Sequence, residues 1–302
     1  MKVKRILILG GTGMLGHVLF RQLSKNQDYD VYATVRNFYE AKKYFPANLV
    51  SKIRVDTVDA DSFDTVIRAL AAIQPHIVIN CIGLIKQLPL ASDPLSAITV
   101  NAQLPHRISL VCRTANARMI HISTDCVFDG KKGMYTEDDV SNAVDLYGKT
   151  KYLGEVNYPH CVTLRTSIIG HELKGKHGLI EWFLGQKEKT QGYTKAIFSG
   201  FPTIELARVI SDYVLPNPDL TGTYNLSSEP ISKYELLKLV AKKYRKNIKI
   251  EPFEDFILDR SLDSTLFRSK TGYVPAPWVE LIDMMYNDYI ENMGAYNAAL
   301  GK

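Results

Sequence analysis

The sequence predicts an α/β fold, a doubly wound parallel sheet with a smaller discontinuous C-terminal substrate lobe. Three observations lead there. Through the first 170 residues, short apolar runs alternate with segments of helical periodicity, the pattern of right-handed βαβ units. The runs are continuously apolar, as strands covered on both faces can be. A turn rich in glycine, Gly10-Gly11-Thr12-Gly13-Met14-Leu15-Gly16, joins the first run to the first helical segment.

The elements follow in order. Ile6–Leu9 reads as the first strand. Leu15, Val18, Leu19 and Leu23 set a helix over 15–23. Val31–Val35 and Ile53–Val58 are the second and third strands. A helix over 62–73 is stopped by Pro75. Ile77–Ile79 is the fourth strand, and 101–115 a long helix interrupted by Pro105. Met119–Ser123, a helix over 147–155, and Cys161–Leu164 complete the series. After Gly170 the texture changes. Residues 171–195 are rich in Gly, Lys and His and show no period. A helix over 201–215, a strand over 222–226 and a helix over 232–242 follow. Ser232 is placed to cap that last helix, with Glu235 three residues on. The tail beyond Tyr289 is poorly patterned and is expected to fray. These readings divide the chain into a dinucleotide-binding domain over 1–170, with a returning segment at about 201–222, and a lobe made mainly of 171–200 and 223–302.

The bulk properties agree with that division. The chain has 302 residues, 46% hydrophobic and 23% charged, enough for a sizeable core without disulfides or metal. A net charge of +5 mildly favours anionic small molecules. No basic stripe interleaved with aromatics marks a nucleic-acid surface. The four cysteines have no CxxC spacing, so free thiols in a reducing cytoplasm are expected. The histidines lack paired ligand spacing, so no metal site is expected. His171 and His177 are the two that fall near the expected cleft. No apolar run approaches the ~20 residues of a membrane helix.

The glycine turn sits where a Rossmann-type fold holds a dinucleotide. Gly10 permits the tight turn, Gly13 lets backbone approach a pyrophosphate, and Gly16 lets helix and strand pack closely. With Thr12, Met14 and Leu15 they form the expected cofactor cradle at a helix N-terminus. The second strand ends Ala33-Thr34-Val35-Arg36 with no acid for a ribose 2′-hydroxyl. NADP(H) is therefore the expected cofactor, with NAD(H) as the alternative; Arg36 is the phosphate clamp and Thr34 its helper. Asp59 and Ala60 are placed beside the adenine, with Asp61 as the cap of the next helix. Cys81, Ile82 and Gly83 are placed against the nicotinamide ribose.

Tyr147 and Lys151 lie four residues apart and share one helix face. Reducing a ketone needs a proton donor at oxygen. A free tyrosine titrates near ~10, and a neighbouring ammonium is expected to lower that value. Lys151 can also hold ribose hydroxyls, and Thr124, at the end of the adjacent strand, can share the substrate oxygen.

Ser123-Thr124-Asp125-Cys126-Val127-Phe128-Asp129-Gly130, Tyr135-Thr136-Glu137-Asp138, Tyr147 through Glu155, and Leu164-Arg165-Thr166-Ser167 resemble the dTDP-4-dehydrorhamnose reductases. These are nucleotide-sugar 4-ketoreductases within the extended short-chain dehydrogenases, whose glycine spacing is also GxxGxxG. The resemblance implies a triad of Thr124, Tyr147 and Lys151 and a second lobe for a nucleotide-diphosphate sugar. It places Lys86, Asp125, Cys126, Ser167 and Arg260 on the substrate side and implies a homodimer. Cys126 stands where these reductases usually show tyrosine, and 170–200 departs from their pattern. Both departures point toward another sugar of surface-polysaccharide synthesis, such as a UDP-linked 4-keto-6-deoxy-hexosamine. Cys126 cannot supply the extra acid a dehydratase needs. A nucleotide-sugar epimerase and a non-catalytic regulatory subunit, as in methionine adenosyltransferase, are the rival readings.

Overall fold

A computed structural model describes residues 3–54, 58–86 and 92–300. Six parallel strands form the principal sheet: β1 (Lys4–Leu9), β2 (Tyr29–Ala33), β3 (Ile77–Asn80), β4 (Arg118–Ile122), β5 (Cys161–Arg165) and β6 (Gly222–Asn225). Their order is β6-β5-β4-β3-β1-β2. The direction of winding reverses between β1 and β3, which opens a crevice beyond their C-terminal ends.

Alternating residues of each strand feed two cores. Ile6, Ile8, Ile79, Ile120 and Val162 enter one layer. Leu7, Leu9, Val78, Met119 and Cys161 enter the other. Both faces are thus covered, which is why the strands read as unbroken apolar runs. Helices α1 (Gly16–Leu23), α2 (Phe63–Ile73) and α3 (Leu104–Thr114) cover these faces; α4 (Leu146–Leu153) carries the tyrosine and lysine, and α5 (Thr203–Val209) packs beside α1. A third core joins Ile180, Phe183, Leu236, Leu237, Val240, Leu281, Ile282 and Met285. It unites α6 (Lys233–Lys243) with α7 (Trp278–Glu291) and gives the second lobe its own interior.

Several expectations shift. The third strand survives as a parallel bridge of Ile53 to Ala33 and as hydrogen bonds from Arg54 N to Ala33 O (2.9 Å) and Val58 N to Val35 O (3.2 Å). Residues 55–57 of that expected strand lie outside the described residues. The helix expected from 101 begins at Pro94 and runs through a wide-turn segment, Ile98–Gln103, into α3. Pro105 has no N–H to give the Asn101 carbonyl, and the chain widens there instead of stopping. Gly154 packs against that carbonyl, where a Cβ would stand only 1.9 Å away.

β6 belongs to the principal sheet, so the sheet-forming chain runs past the expected boundary at 222. The described part of the tail is helical. Helix Met293–Leu300 sends Tyr296 into the main core at 1% exposure. Its hydroxyl donates to Asp288 (2.9 Å) and accepts from Arg21 (3.0 Å), and Asp288 binds Arg21 as a buried ion pair. Ser232 caps α6 by accepting from Glu235 N at 3.1 Å, as its spacing predicts. Among the described residues no helix is long and apolar enough to cross a membrane.

Candidate active site

The glycine turn is fixed by its backbone. Gly10 takes φ +86°, which only glycine adopts freely. A Cβ on Gly16 would lie 2.1 Å from the Gly10 carbonyl oxygen, and one on Gly11 would lie 2.7 Å from the Ala33 methyl. Gly13 N donates to Gly10 O at 3.0 Å. The start of α1 has no side-chain cap, and a helix N-terminus of this kind can hold a dinucleotide pyrophosphate through its backbone N–H groups. Leu15 is buried beneath the turn, and Met14 reaches toward Gly178. His17 anchors the turn from inside, with Nδ1 at 2.8 Å from Gly13 O. Burial, and then Arg21, lowers its pKa to about 3, so it is neutral and Nδ1–H donates.

Thr34 is not the phosphate helper its position suggests. It is buried, and its hydroxyl accepts from Gly10 N at 3.3 Å. Its carbonyl accepts from Gly11 N at 2.8 Å. It positions the turn from behind, while Arg36 is exposed at the mouth. Asp59 is also engaged locally: its carboxylate accepts from Asp61 N at 3.2 Å. Asp61 does not cap α2. Ser62 is the cap residue, and the Thr65 hydroxyl donates back to the Asp59 and Ser62 carbonyls. Ala60 follows Asp59 in that turn.

Cys81, Ile82 and Gly83 leave β3 over the cleft. Cys81 is desolvated and its thiol is pushed up to about 12, a packing group rather than a nucleophile. Asn101 orients this loop: Oδ1 accepts from Leu84 N (2.9 Å) and Nδ2 donates to Leu84 O (3.2 Å). It sits in the wide-turn segment beside Thr150 of α4. Periodicity alone did not mark it, though its place ahead of Pro105 was a signal.

Thr124 leaves β4 and caps the short helix Asp125–Val127, accepting from Cys126 N and donating to Asp125, each at 3.2 Å. Asp145 caps α4 by accepting from Gly148 N at 2.8 Å, which sets the rotation that presents Tyr147 and Lys151. Gly148 allows α4 to close on this turn, since a Cβ would lie 2.2 Å from Cys126 O. Tyr147 therefore stands beside Thr124, Asp125 and Cys126.

Its titration runs opposite to the sequence expectation. Burial is the largest cause, with Cys126 and Asp125 adding to it, and the phenol pKa rises. The Lys151 ammonium is engaged elsewhere, donating to the Ile122 carbonyl at 2.8 Å. Desolvation lowers the lysine to about 8. The phenol thus keeps its proton at neutral pH, which suits a donor.

A cluster of charges gathers at Asp125 and Cys126. Arg260 donates to Cys126 Sγ at 3.5 Å and to Phe128 O at 2.8 Å. Lys233, the first residue of α6, faces Asp125, Cys126 and Arg260. Burial raises the Asp125 pKa against the pull of Arg260, and burial lowers that of Lys233 against the pull of Asp125. Lys233 escaped the sequence reading because it looks like one more helix-start lysine. Lys86 binds Asp145 at 2.7 Å and so braces the cap of α4. Ser167 lies at the end of β5, its carbonyl accepting from Phe201 N. Beneath, Arg165 and Glu155 form a buried bidentate pair that also receives the Ser123 hydroxyl. His171 is not in the cleft. It is buried, with Nδ1 paired to Glu181 and Nε2 at 2.7 Å from the Tyr244 hydroxyl. His177 lies in the loop beside Gly178, its N–H donating to Glu172.

Comparison with known proteins gives this geometry a context. The zebrafish (Danio rerio) methionine adenosyltransferase 2 subunit beta is 27% identical over 251 residues, covering 79% of this chain and 73% of that protein. A probable low-salt glycan biosynthesis reductase, Agl14 of Haloferax volcanii, is 30% identical over 168 residues, 54% of this chain and 52% of that one. The crystal structure of dTDP-4-dehydrorhamnose reductase from Bacillus anthracis, in complex with NADP, superimposes with a TM-score of 0.77 at 22% identity. It covers 95% of this chain and 100% of that one. The RmlD substrate binding domain family matches residues 4–289, nearly the whole of this architecture, and the chain belongs to that family.

Proposed function

We propose that the protein reduces the 4-keto group of a nucleotide-diphospho-6-deoxy-4-keto sugar with NADPH, in the synthesis of a surface-polysaccharide precursor. The observation that carries this reading is the convergence of Thr124, Tyr147 and Lys151 at the C-terminal edge of the sheet, beside the glycine turn. The NADP of the Bacillus anthracis reductase structure and the glycan role of the Haloferax reductase support it.

The residues fit the cofactor. A Cβ on Gly16 would clash with the Gly10 carbonyl, and one on Gly10 or Gly13 would stand 3.3 Å from backbone, so the turn stays close and bare, and Arg36 faces the mouth. When bound, NADPH supplies the hydride to the keto carbon. Tyr147 then gives its phenolic proton to the oxygen as negative charge builds there. Thr124, turning its hydroxyl proton away from Asp125, donates a second hydrogen bond to that oxygen. Lys151, released from the Ile122 carbonyl, holds ribose hydroxyls and stabilises the phenolate left behind. Arg260 and Lys233 form the cationic side of the substrate wall.

NADPH oxidation is to be followed with 4-keto-6-deoxy sugars carried on dTDP, UDP, GDP and CDP. Turnover on one of these carriers is expected. Similarity to methionine adenosyltransferase 2 subunit beta favours a second reading, a regulatory subunit that binds the cofactor without turnover. Inactivity on all four carriers, with stoichiometric capture of a methionine adenosyltransferase catalytic subunit, would replace the first reading by the second.

A further inference from the structure

Lys174 is remote in sequence from the glycine turn, yet it lines a cavity shared with it. The cavity, of about 250 Å³, is walled by Thr12, Arg36, Asn37, Glu40, Tyr44 and Lys174. Thr12 brings the glycine turn, and Arg36 and Asn37 bring the chain just beyond β2. Asn37 caps the short helix Phe38–Ala41 by accepting from Glu40 N at 3.0 Å.

The remaining wall is a built loop. Buried Glu172 accepts from His177 N (2.8 Å) and Gly178 N (3.0 Å). Gly178 closes on Met14, whose methyl would stand 2.5 Å from a Cβ. Lys174 is therefore presented over the cofactor turn by a tied segment. Its ammonium donates to both Glu40 oxygens at 3.0 Å. The pair is open to solvent, with side chains 48% and 36% exposed, so it is weakly held. Arg36 has no hydrogen-bond or ion-pair partner among the described residues.

We infer that Lys174 is a second cation for the cofactor's adenosine 2′-phosphate, and that Glu40 is the counterion it gives up. This rests on the NADPH reading above. A phosphate monoester carries about −1.5 to −2 charges at pH 7, more than one exposed carboxylate offers. Arg36 provides a planar fork and Lys174 a mobile point charge from the opposite wall. A bare 2′-hydroxyl offers no such exchange, so with NAD(H) the Lys174–Glu40 pair stays closed. Cofactor choice then depends on a swap of counterions across two lobes.

The test uses two nucleotides that lack nicotinamide, adenosine 2′,5′-bisphosphate and 5′-ADP, with affinities measured by calorimetry on the full chain. Lys174→Ala is expected to weaken the 2′,5′-bisphosphate about tenfold while 5′-ADP changes less than twofold. Lys174→Arg should retain most of the difference. Glu40→Gln should tighten the 2′,5′-bisphosphate severalfold. An unchanged ratio of affinities in Lys174→Ala overturns the inference, and so does weaker bisphosphate binding in Glu40→Gln. Arg36→Ala separates the layers: if it lowers the ratio while Lys174→Ala does not, NADPH preference stands and only the role of Lys174 falls. If neither variant alters the ratio, both fail.

Discussion

The cofactor half of the site and the substrate half are assembled by different routes. The glycine turn, α1 and the end of β2 form one continuous βαβ unit, and their geometry is enforced by backbone contacts such as Gly16 on Gly10. The charged cluster beside Tyr147 draws Asp125, Lys233 and Arg260 from three remote segments, held by electrostatics and a few side-chain bonds. At Gly11 and Gly16 the first half leaves no room for a Cβ. The second can exchange charges and shapes on a constant frame, which is where relatives of one fold diverge in substrate.

Tyr147, at the seam, gives the largest expected effect. Tyr147→Phe removes the proton donor but keeps the ring, so turnover should fall by about 10²–10⁴-fold with cofactor affinity intact. Surviving turnover in an NADPH-oxidation assay would remove Tyr147 from the chemistry. Gly16→Ala probes the rigid half. The new methyl must displace the turn, at a cost of about 1–3 kcal/mol, and cofactor affinity by fluorescence titration should drop ten- to a hundredfold, on the order of 1.4 kcal/mol per decade. Normal affinity would show that the turn yields, and the contrast between the halves would collapse.

Lys233→Met probes the adaptable half. It keeps the length of the side chain and deletes its charge. The KM for the nucleotide sugar should rise about tenfold, with cofactor binding unchanged. A loss shared equally by both ligands would mean that the halves act as one unit.

The smallest effect is in pH. Lys151 is charged in the folded protein only below about 8, so cofactor affinity should decline severalfold as pH rises through that value. Lys151→Arg should flatten this limb. The stability sign is opposite. The unfolded lysine stays protonated up to its ordinary pKa near ~10.4, so between those values the unfolded chain binds more protons. Stability therefore rises with pH in that window. Urea midpoints for wild type and Lys151→Met should converge toward its upper end; parallel curves would contradict the burial of the ammonium.

The legible parts of the sequence are those in which cause and consequence lie within one turn or one strand. Ser232 and Glu235 announced their cap because the hydrogen bond spans three residues. The run Ile6–Leu9 announced a strand covered on both sides. Tyr147 and Lys151 announced a common face. Legibility failed where a side chain answers to a distant partner. Thr34 looked like a cofactor contact and instead holds Gly10. The tail around Tyr296 looked unpatterned, and its one buried ring is secured by Arg21 and Asp288. Asn101 looked like an ordinary helix residue until Leu84 came to lie against it.

The sequence by itself determined the α/β class, the glycine turn and the tyrosine–lysine pair, because apolar periodicity, the absence of a Cβ and helical spacing are local properties of the chain. Only the tertiary structure decided the rest. It turned Lys151 toward the Ile122 carbonyl and left the Tyr147 phenol protonated, it gathered Lys233 and Arg260 at Asp125, and it brought Lys174 across to Glu40. The titration of a buried group depends on every charge and hydrogen bond around it, and those neighbours are fixed only when segments far apart in the chain pack together.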